Sequence, residues 1–571
     1  MRSLPGQKSV FCFIIILGLA LRLWGIGFGL PHQFHQDEPI VVNHAMAYGT
    51  GDLNPHFFAI PPLTSYLLFL IYGIMFVLGR LGGVWGGPEE FAARFFDDPT
   101  WFYLAGRIFI GVLPGLLCVG VTYRFARKFI SSSGALYAAA AMSVTFLNVV
   151  NSHYIYTDML LVLFTLLAYE ALFSVHEKPV LRNYCLAGLF TGLAAGVKYN
   201  GALLAVPYLL THLAASGAGK GTLRKTILSR NMWAGALTAA VTFLLTNPFM
   251  ALDFPGFSAS VTQQAGAFAY AGWLHHILFS LMEGISFPLV IAGSCGLLLL
   301  FFKDRWGKIL VSFPVIFYFL LVLKSQTFAR YVLLLVPFFA IGGAYILFEY
   351  IPGRLRNAGI RRIFIAAAIL FLIPTLIKSV KADMLFSSDD TRIISAEWIR
   401  ENIARGEKIA CDSTNFRPVL PQPYSQLALK KKFLDERPDL TAVRSKKLEF
   451  EMKAAGGKEE EYPVYFLFDD PDAQGQFLNT LPALPYDIEA IRREGISYIV
   501  VNSQFTSRGK KEFLENITDK ADIVMDFSPY RDGIFRGSID SVDATCIPVM
   551  GKDLFSRKIM GPGLRVYRVK E

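Results

Sequence analysis

The sequence predicts a polytopic α-helical membrane protein, with about eleven transmembrane helices and one interfacial helix, that ends in a small extracytoplasmic α/β domain. Three observations carry this. Of 571 residues, 53% are hydrophobic and 18% charged, with mean hydropathy +0.42, which excludes a soluble globular protein. Apolar runs long enough to cross about 30 Å of hydrocarbon recur to about residue 380 and then stop. Beyond about residue 385 the pattern changes to helices alternating with short strands.

Taken in order, the expected spans are 10–30, 104–123, 133–150, 159–175, 184–198, 201–215, 232–247, 277–302, 309–323, 331–350 and 363–380. Arg2 and Lys8 precede the first run, and no small-residue cleavage pattern follows it, so it reads as an uncleaved span. The apolar stretch 61–79 is set apart. Its Pro61-Pro62 start and the glycine-rich exit around Trp85 suit a helix lying in the outer leaflet. Charge counting agrees, because Arg2 and Lys8 need an even number of crossings before Arg124, Arg127 and Lys128.

Alternate connections carry the positive charge. One set holds Arg124, Arg127, Lys128, Lys178, Arg182, Lys220, Arg224, Lys225, Arg230, Lys303, Arg305, Lys308, Arg354, Arg356, Arg361 and Arg362; after the first outer loop, the other holds only Lys198, Lys324 and Arg330. The positive-inside rule makes the first set cytoplasmic. The amino terminus is then inside, and the site loops and the carboxy-terminal domain are outside, as expected of a bacterial inner-membrane protein. The basic excess, 55 Lys+Arg against 45 Asp+Glu, needs no nucleic-acid partner, since no basic stripe is interleaved with aromatics.

The domains are therefore 1–382, the membrane catalytic part with its first outer loop at 31–103, and 383–571, the soluble part. In the latter, 391–405, 488–494 and 510–517 read as helices, and 408–411, 464–468, 498–501, 523–525 and 564–566 as strands; 446–461 reads as a solvated loop or exposed helix. No GxGxxG, P-loop or nucleophile elbow is present. The six cysteines are far apart, and only Cys411 and Cys546 suit a pairing.

The chemistry concentrates at the membrane boundary. Residues 32–44 follow the first span and hold the adjacent carboxylates Asp37 and Glu38 beside His32, His35 and His44. Carboxylates cost several kcal/mol in hydrocarbon, so such a pair marks either a surface loop or a site. Asp37 also stands where an N-cap belongs, just before Pro39. One carboxylate base with several cations on the same face suits attack by a hydroxyl or amine on a carbon bearing a phosphate leaving group. Arg and Lys bind phosphate by charge-assisted hydrogen bonds.

Six motifs then occur in order: Asp37-Glu38, Pro61-Pro62-Leu63, Gly106-Arg107-Ile108-Phe109-Ile110-Gly111, Tyr156-Thr157-Asp158, Val197-Lys198-Tyr199-Asn200-Gly201, and the run from Ala329-Arg330-Tyr331 to Val336-Pro337. The chain resembles the GT-C glycosyltransferases over about residues 10–350. Within them it is similar to the dolichyl-phosphate-mannose protein mannosyltransferase group and its bacterial relatives, the aminoarabinose and RgtA/B/C/D-like transferases. The resemblance implies inverting transfer of a sugar from a polyprenyl phosphate to a protein, lipid or glycan acceptor. It implies Asp37 as general base, with Glu38 orienting the acceptor or Asp37 itself, and Arg107, Lys198 and Arg330 on the donor phosphate. The three cations have a second reading as residues snorkelling to headgroups. Asp158 either positions the sugar or pairs with one of the cations; His35, Tyr199 and Tyr331 would line the substrate, the tyrosines otherwise belonging to the aromatic belt. No cofactor is required; a divalent ion on His35, Asp37 and His44 is the minor variant. The rival classes are a transporter or flippase, a ligase or polymerase sharing the donor, and a lipid-binding scaffold.

Overall fold

The computed structural model describes residues 5–216, 226–265, 273–323, 328–435, 442–458, 461–472, 482–504, 507–537 and 550–570. Lys220, Arg224, Lys225, Lys324 and Cys546 lie outside the described residues. The chain divides into two compact units, one of residues 1–26, 40–72 and 104–383, the other of residues 27–39, 73–103 and 384–571. Two pieces of the first outer loop, expected with the membrane part, therefore group with the carboxy-terminal domain.

The first unit is helical and the protein is an integral membrane protein. Among the described residues six helices are long and apolar enough to span: Gly6–Leu23, Leu63–Leu81, Thr100–Ala126, Asp158–Glu177, Ala329–Arg354 and Ala358–Phe386. A seventh is a bent pair, His276–Gly284 and Phe287–Lys303, at 111°. The expected single span 277–302 is thus broken, at Ser286, whose φ of 124° is a strained position for a residue with a side chain. The expected span 133–150 is likewise two helices, Ser132–Val144 and Phe146–Asn151. Leu181–Val197, Arg230–Thr246 and Arg305–Leu321 are 17 residues each, about 25 Å of helix. Leu63–Leu81 has the length and apolarity of a span, so the interfacial placement of 61–79 rests on its flanking residues and on charge counting.

Small residues bring the helices together where no hydrophobic effect acts between them. A Cβ on Gly188 would lie 2.0 Å from the Gly235 carbonyl oxygen, and one on Gly192 2.5 Å from that of Ala239. Leu181–Val197 and Arg230–Thr246 are therefore in backbone contact.

In the second unit a six-stranded sheet is formed by β1 (Ile409–Cys411), β2 (Val464–Phe468), β3 (Ala483–Pro485), β4 (Tyr498–Asn502), β5 (Ala521–Phe527) and β6 (Leu564–Val569), in the order β3-β2-β1-β4-β6-β5. The pairs β1–β2, β1–β4 and β2–β3 are parallel, while β4–β6 and β5–β6 are antiparallel. The inner strands are apolar on both faces because both are covered. Ile399 and Ile403 pack with Ile409, Val464, Phe466 and Val566 on one face. Ile488, Ile491 and Phe513 pack with Leu467, Ile499 and Tyr567 on the other. Caps set the helix starts: the side chains of Asp390, Asp487 and Ser507 accept from the backbone N–H groups of Arg392, Glu489 and Lys510. The segment expected as a solvated loop or exposed helix is the helix Ala442–Ala455; its Leu448 is buried against Leu427 and Leu434. Cys411 is a buried free thiol.

Candidate active site

Three segments far apart in sequence meet in the first unit. Asp158 opens the helix Asp158–Glu177, where the helix dipole favours an anion. Lys198 ends the helix Leu181–Val197 as its C-cap in extended conformation, and Arg330 lies in the 3-10 turn Ala329–Leu335. Lys198 Nζ donates to Asp158 Oδ1 at 2.9 Å. The same ammonium lies 5.4 Å from the Tyr331 ring centre and 5.9 Å from that of Tyr156. The Arg330 guanidinium is 4.4 Å from the Phe328 ring centre, 5.4 Å from Tyr156 and 6.0 Å from Tyr331. Two cations thus share the faces of two tyrosine rings, an arrangement that holds like charges close by cation–π attraction and one carboxylate. Of the two readings of Asp158, pairing with a cation is the one present. Its other oxygen, Oδ2, is buried with no hydrogen-bond partner among the described residues. Tyr331 and Tyr156 are part of this cluster; Tyr199 is turned to a different contact, its hydroxyl donating to the Phe58 carbonyl at 2.9 Å.

Arg107 sits at the start of a wide turn, Arg107–Val112, within the long helix 100–126. Such turns interrupt helices at functional positions. Its side chain is fully buried, and Nη1 donates to the Ile26 carbonyl at 2.7 Å. The glycine at 111 serves a close approach, since a Cβ there would lie 2.3 Å from the Ser152 carbonyl oxygen.

Beside it lies a group that the sequence reading did not single out. Arg22, within the first span and fully buried, donates to Ser152 Oγ at 3.1 Å and to the carbonyls of Gly18, Ser143 and Met142 at 2.9, 2.9 and 3.2 Å. His153 has Nε2 2.9 Å from the Trp24 carbonyl, Nδ1 2.9 Å from that of Val149, and Nε2 3.7 Å from Asp383 Oδ1. The turn carrying Trp24 and Ile26 is therefore held by both His153 and Arg107. A single arginine inside an otherwise apolar run was the available signal, because charges within spans are costly and kept for cause.

The acidic motif belongs to the second unit up to Pro39. The helix starts at Glu38, with half-buried Asp37 just ahead of it. Glu38 is fully buried and His35 nearly so, so Glu38 is not a solvated helix-start carboxylate. The Asp37 backbone N–H donates to His35 Nδ1 at 3.3 Å. Burial, reinforced by Arg400, lowers the His32 pKa from its ordinary value. Among the described residues no group of three His, Cys, Asp or Glu side chains is placed to hold a metal ion, and His35, Asp37 and His44 form no such group. His35 Nδ1 takes the Asp37 N–H, and His44 Nδ1 faces the Ile40 carbonyl. His276 is buried with Nδ1 2.9 Å from Ser280 Oγ.

Residues 102–246 match the family described as dolichyl-phosphate-mannose-protein mannosyltransferase. No curated protein matches the sequence. Among solved structures, the chain is similar to apo ArnT from Cupriavidus metallidurans, with TM-score 0.49 and 12% identity, covering 91% of this chain and 96% of that one. It is also similar to the oligosaccharyltransferase AglB from Archaeoglobus fulgidus, in complex with an inhibitory peptide and a dolichol-phosphate, with TM-score 0.48 and 12% identity, covering 87% and 69%. The Pmt1-Pmt2 complex of S. cerevisiae, bound to its sugar donor, gives TM-score 0.34 and 18% identity over 45% and 35%. The family match spans residues 102–246 of the 571, and the solved structures share the helical membrane fold at low identity.

Proposed function

We propose that this glycosyltransferase moves a sugar from a polyprenyl-phosphate donor to a protein, lipid or glycan acceptor on the outer face of the membrane. The observation that carries the proposal is the cluster of Lys198, Arg330, Tyr156 and Tyr331 around Asp158. It gathers two phosphate-seeking cations and one carboxylate from three segments, two of them, those of Asp158 and Lys198, within the region that matches the mannosyltransferase family. Arg107, Lys198 and Arg330 hold and neutralise the donor phosphate as it leaves. Asp37 takes the proton of the acceptor hydroxyl or amine while its oxygen or nitrogen attacks the anomeric carbon from the face opposite the phosphate, inverting that centre. Glu38 orients the acceptor or Asp37, and the tyrosine rings offer a surface for the sugar. No metal takes part in this scheme.

The test uses purified protein in nanodiscs with radiolabelled undecaprenyl-phosphate mannose, glucose, galactose or arabinose, and a membrane extract as acceptor. Transfer from one donor, abolished in a folded Asp37→Asn variant, is expected. Full transfer by that variant rejects the mechanism, and uptake of label without a covalent product favours a transporter.

A further inference from the structure

The carboxy-terminal domain has no role in the scheme above. We infer that it sets the position of the general base, through Arg392 stacked on Phe34. This rests on the reading of Asp37 as the base.

The loop 27–39 lies in the same compact unit as residues 384–571. The Arg392 guanidinium carbon is 3.5 Å from the centre of the Phe34 ring, a face-to-face contact at the close end of cation–π geometry. The Arg392 Nε and Nη2 donate to Asp390 Oδ1 and Oδ2 at 2.8 and 2.7 Å, and Nη1 donates to the Asn415 carbonyl at 3.3 Å. All three of its nitrogens are engaged and the residue is almost wholly buried, with the flat face of the guanidinium on Phe34. A lysine offers neither the fork nor the plane.

Two neighbouring contacts extend the grip. The Tyr103 hydroxyl donates to Gln33 Oε1 at 3.0 Å. Gln33 has φ of 59°, a left-handed conformation that a residue with a side chain keeps only when its surroundings impose it. Asp37 N–H is then taken by His35 Nδ1. Residues 33, 34 and 35 are each fixed by a contact of their own, and Asp37 is two residues further on. Phe34 is held by a residue of the domain after residue 384. Arg392 is therefore a positioning residue, with Asp390 as its own support.

The experiment uses the full chain in nanodiscs of phosphatidylethanolamine and phosphatidylglycerol, with Phe34→Leu, Arg392→Met and Arg392→Lys. Hydrogen–deuterium exchange is read at 33–38 and, as a control for folding, at β1 and β4. Faster exchange at 33–38 by about tenfold, with β1 and β4 unchanged, is expected in Phe34→Leu and Arg392→Met, because each removes one side of the stack. Arg392→Lys should not rescue. With the undecaprenyl-phosphate sugar that the wild type uses, kcat should fall about ten- to hundredfold while the donor KM stays within about twofold, as for a misplaced catalytic group. Unchanged exchange at 33–38 in Phe34→Leu overturns the inference, as does a loss confined to donor KM. If Arg392→Met unfolds the sheet, Phe34→Leu decides, since Asp390 and Arg392 are then intact. Should Asp37→Asn stay active, the base assignment fails on its own, and the exchange data still judge the clamp.

Discussion

Replacing Lys198 by Met separates an ion pair that only holds the fold from one that also serves the donor. The Nζ–Oδ1 distance is 2.9 Å, with the lysine side chain 20% and the aspartate side chain 8% exposed. At that distance Coulomb's law gives about 6 kcal/mol at an effective dielectric of ~20 and about 1.4 kcal/mol in bulk water. Partial exposure of the lysine places the expected coupling between these, at about 2–4 kcal/mol. Lys198→Met strands a carboxylate whose second oxygen already lacks a hydrogen bond among the described residues, so the single variant should lose about 3–5 kcal/mol of stability. Asp158→Asn in the Lys198→Met background should regain most of this, because no buried charge is then left alone. A double-mutant cycle on the unfolding equilibrium in mixed micelles measures the coupling. A value below about 0.5 kcal/mol would refute the pair as described. Transfer decides the rest: the double variant should be stable and should bind donor poorly, and wild-type donor KM in that variant would remove Lys198 from the phosphate site.

Three further outcomes follow from the same geometry. Arg107→Leu should raise donor KM by about ten- to hundredfold, the worth of one or two charge-assisted hydrogen bonds, while acceptor KM changes little; donor titrations at fixed acceptor check this. Arg22→Met leaves buried acceptors without a donor, at about 1–3 kcal/mol each, so the unfolding midpoint should drop well below that of a surface Arg→Met control. The Lys430 ammonium is pushed down to about 8 by burial, with Arg417 adding to the shift. Its folded pKa thus lies below its unfolded one, so the unfolded chain binds the extra proton, and stability rises as pH climbs from about 8 to about 10.5. Lys430→Met should therefore be more stable than wild type at pH 7, with the difference fading by pH 10.5 in thermal unfolding of the full chain.

The legible parts of the sequence were those in which one local pattern decides one outcome. Strand β2 falls on the same residues, 464–468, in sequence and structure, because a short apolar run between polar turns has few alternatives. The helix expected at 391–405 from its apolar positions is present as Thr391–Asn402, with Asp390 as its cap. What failed to show was anything that depends on where segments meet. The strand Ala483–Pro485 has three residues and no alternation; it exists because β2 offers it an edge. The helix Ala442–Ala455 looks solvated by charge, yet Leu448, with Met452 and Ala455 packed beside it, docks it. Span 277–302 reads as continuous because hydropathy averages over the break that Ser286 makes. Site residues divide the same way: Asp158 and Lys198 could be nominated one by one from motifs, but their 2.9 Å pairing across 40 residues is a property of the helix ends that carry them.

Burial of charge in the membrane unit orders the remaining argument. Arg22, His153, Asp383 and Arg107 are all fully buried, and hydrocarbon makes each expensive unless its groups are engaged. Arg22 spends its donors on three carbonyls and a hydroxyl, and so is accounted for by structure. Arg107 Nη1 donates to the Ile26 carbonyl, on the turn that His153 holds through Trp24. Snorkelling to the headgroups needs an exposed cationic head, and the Arg107 side chain has no accessible surface.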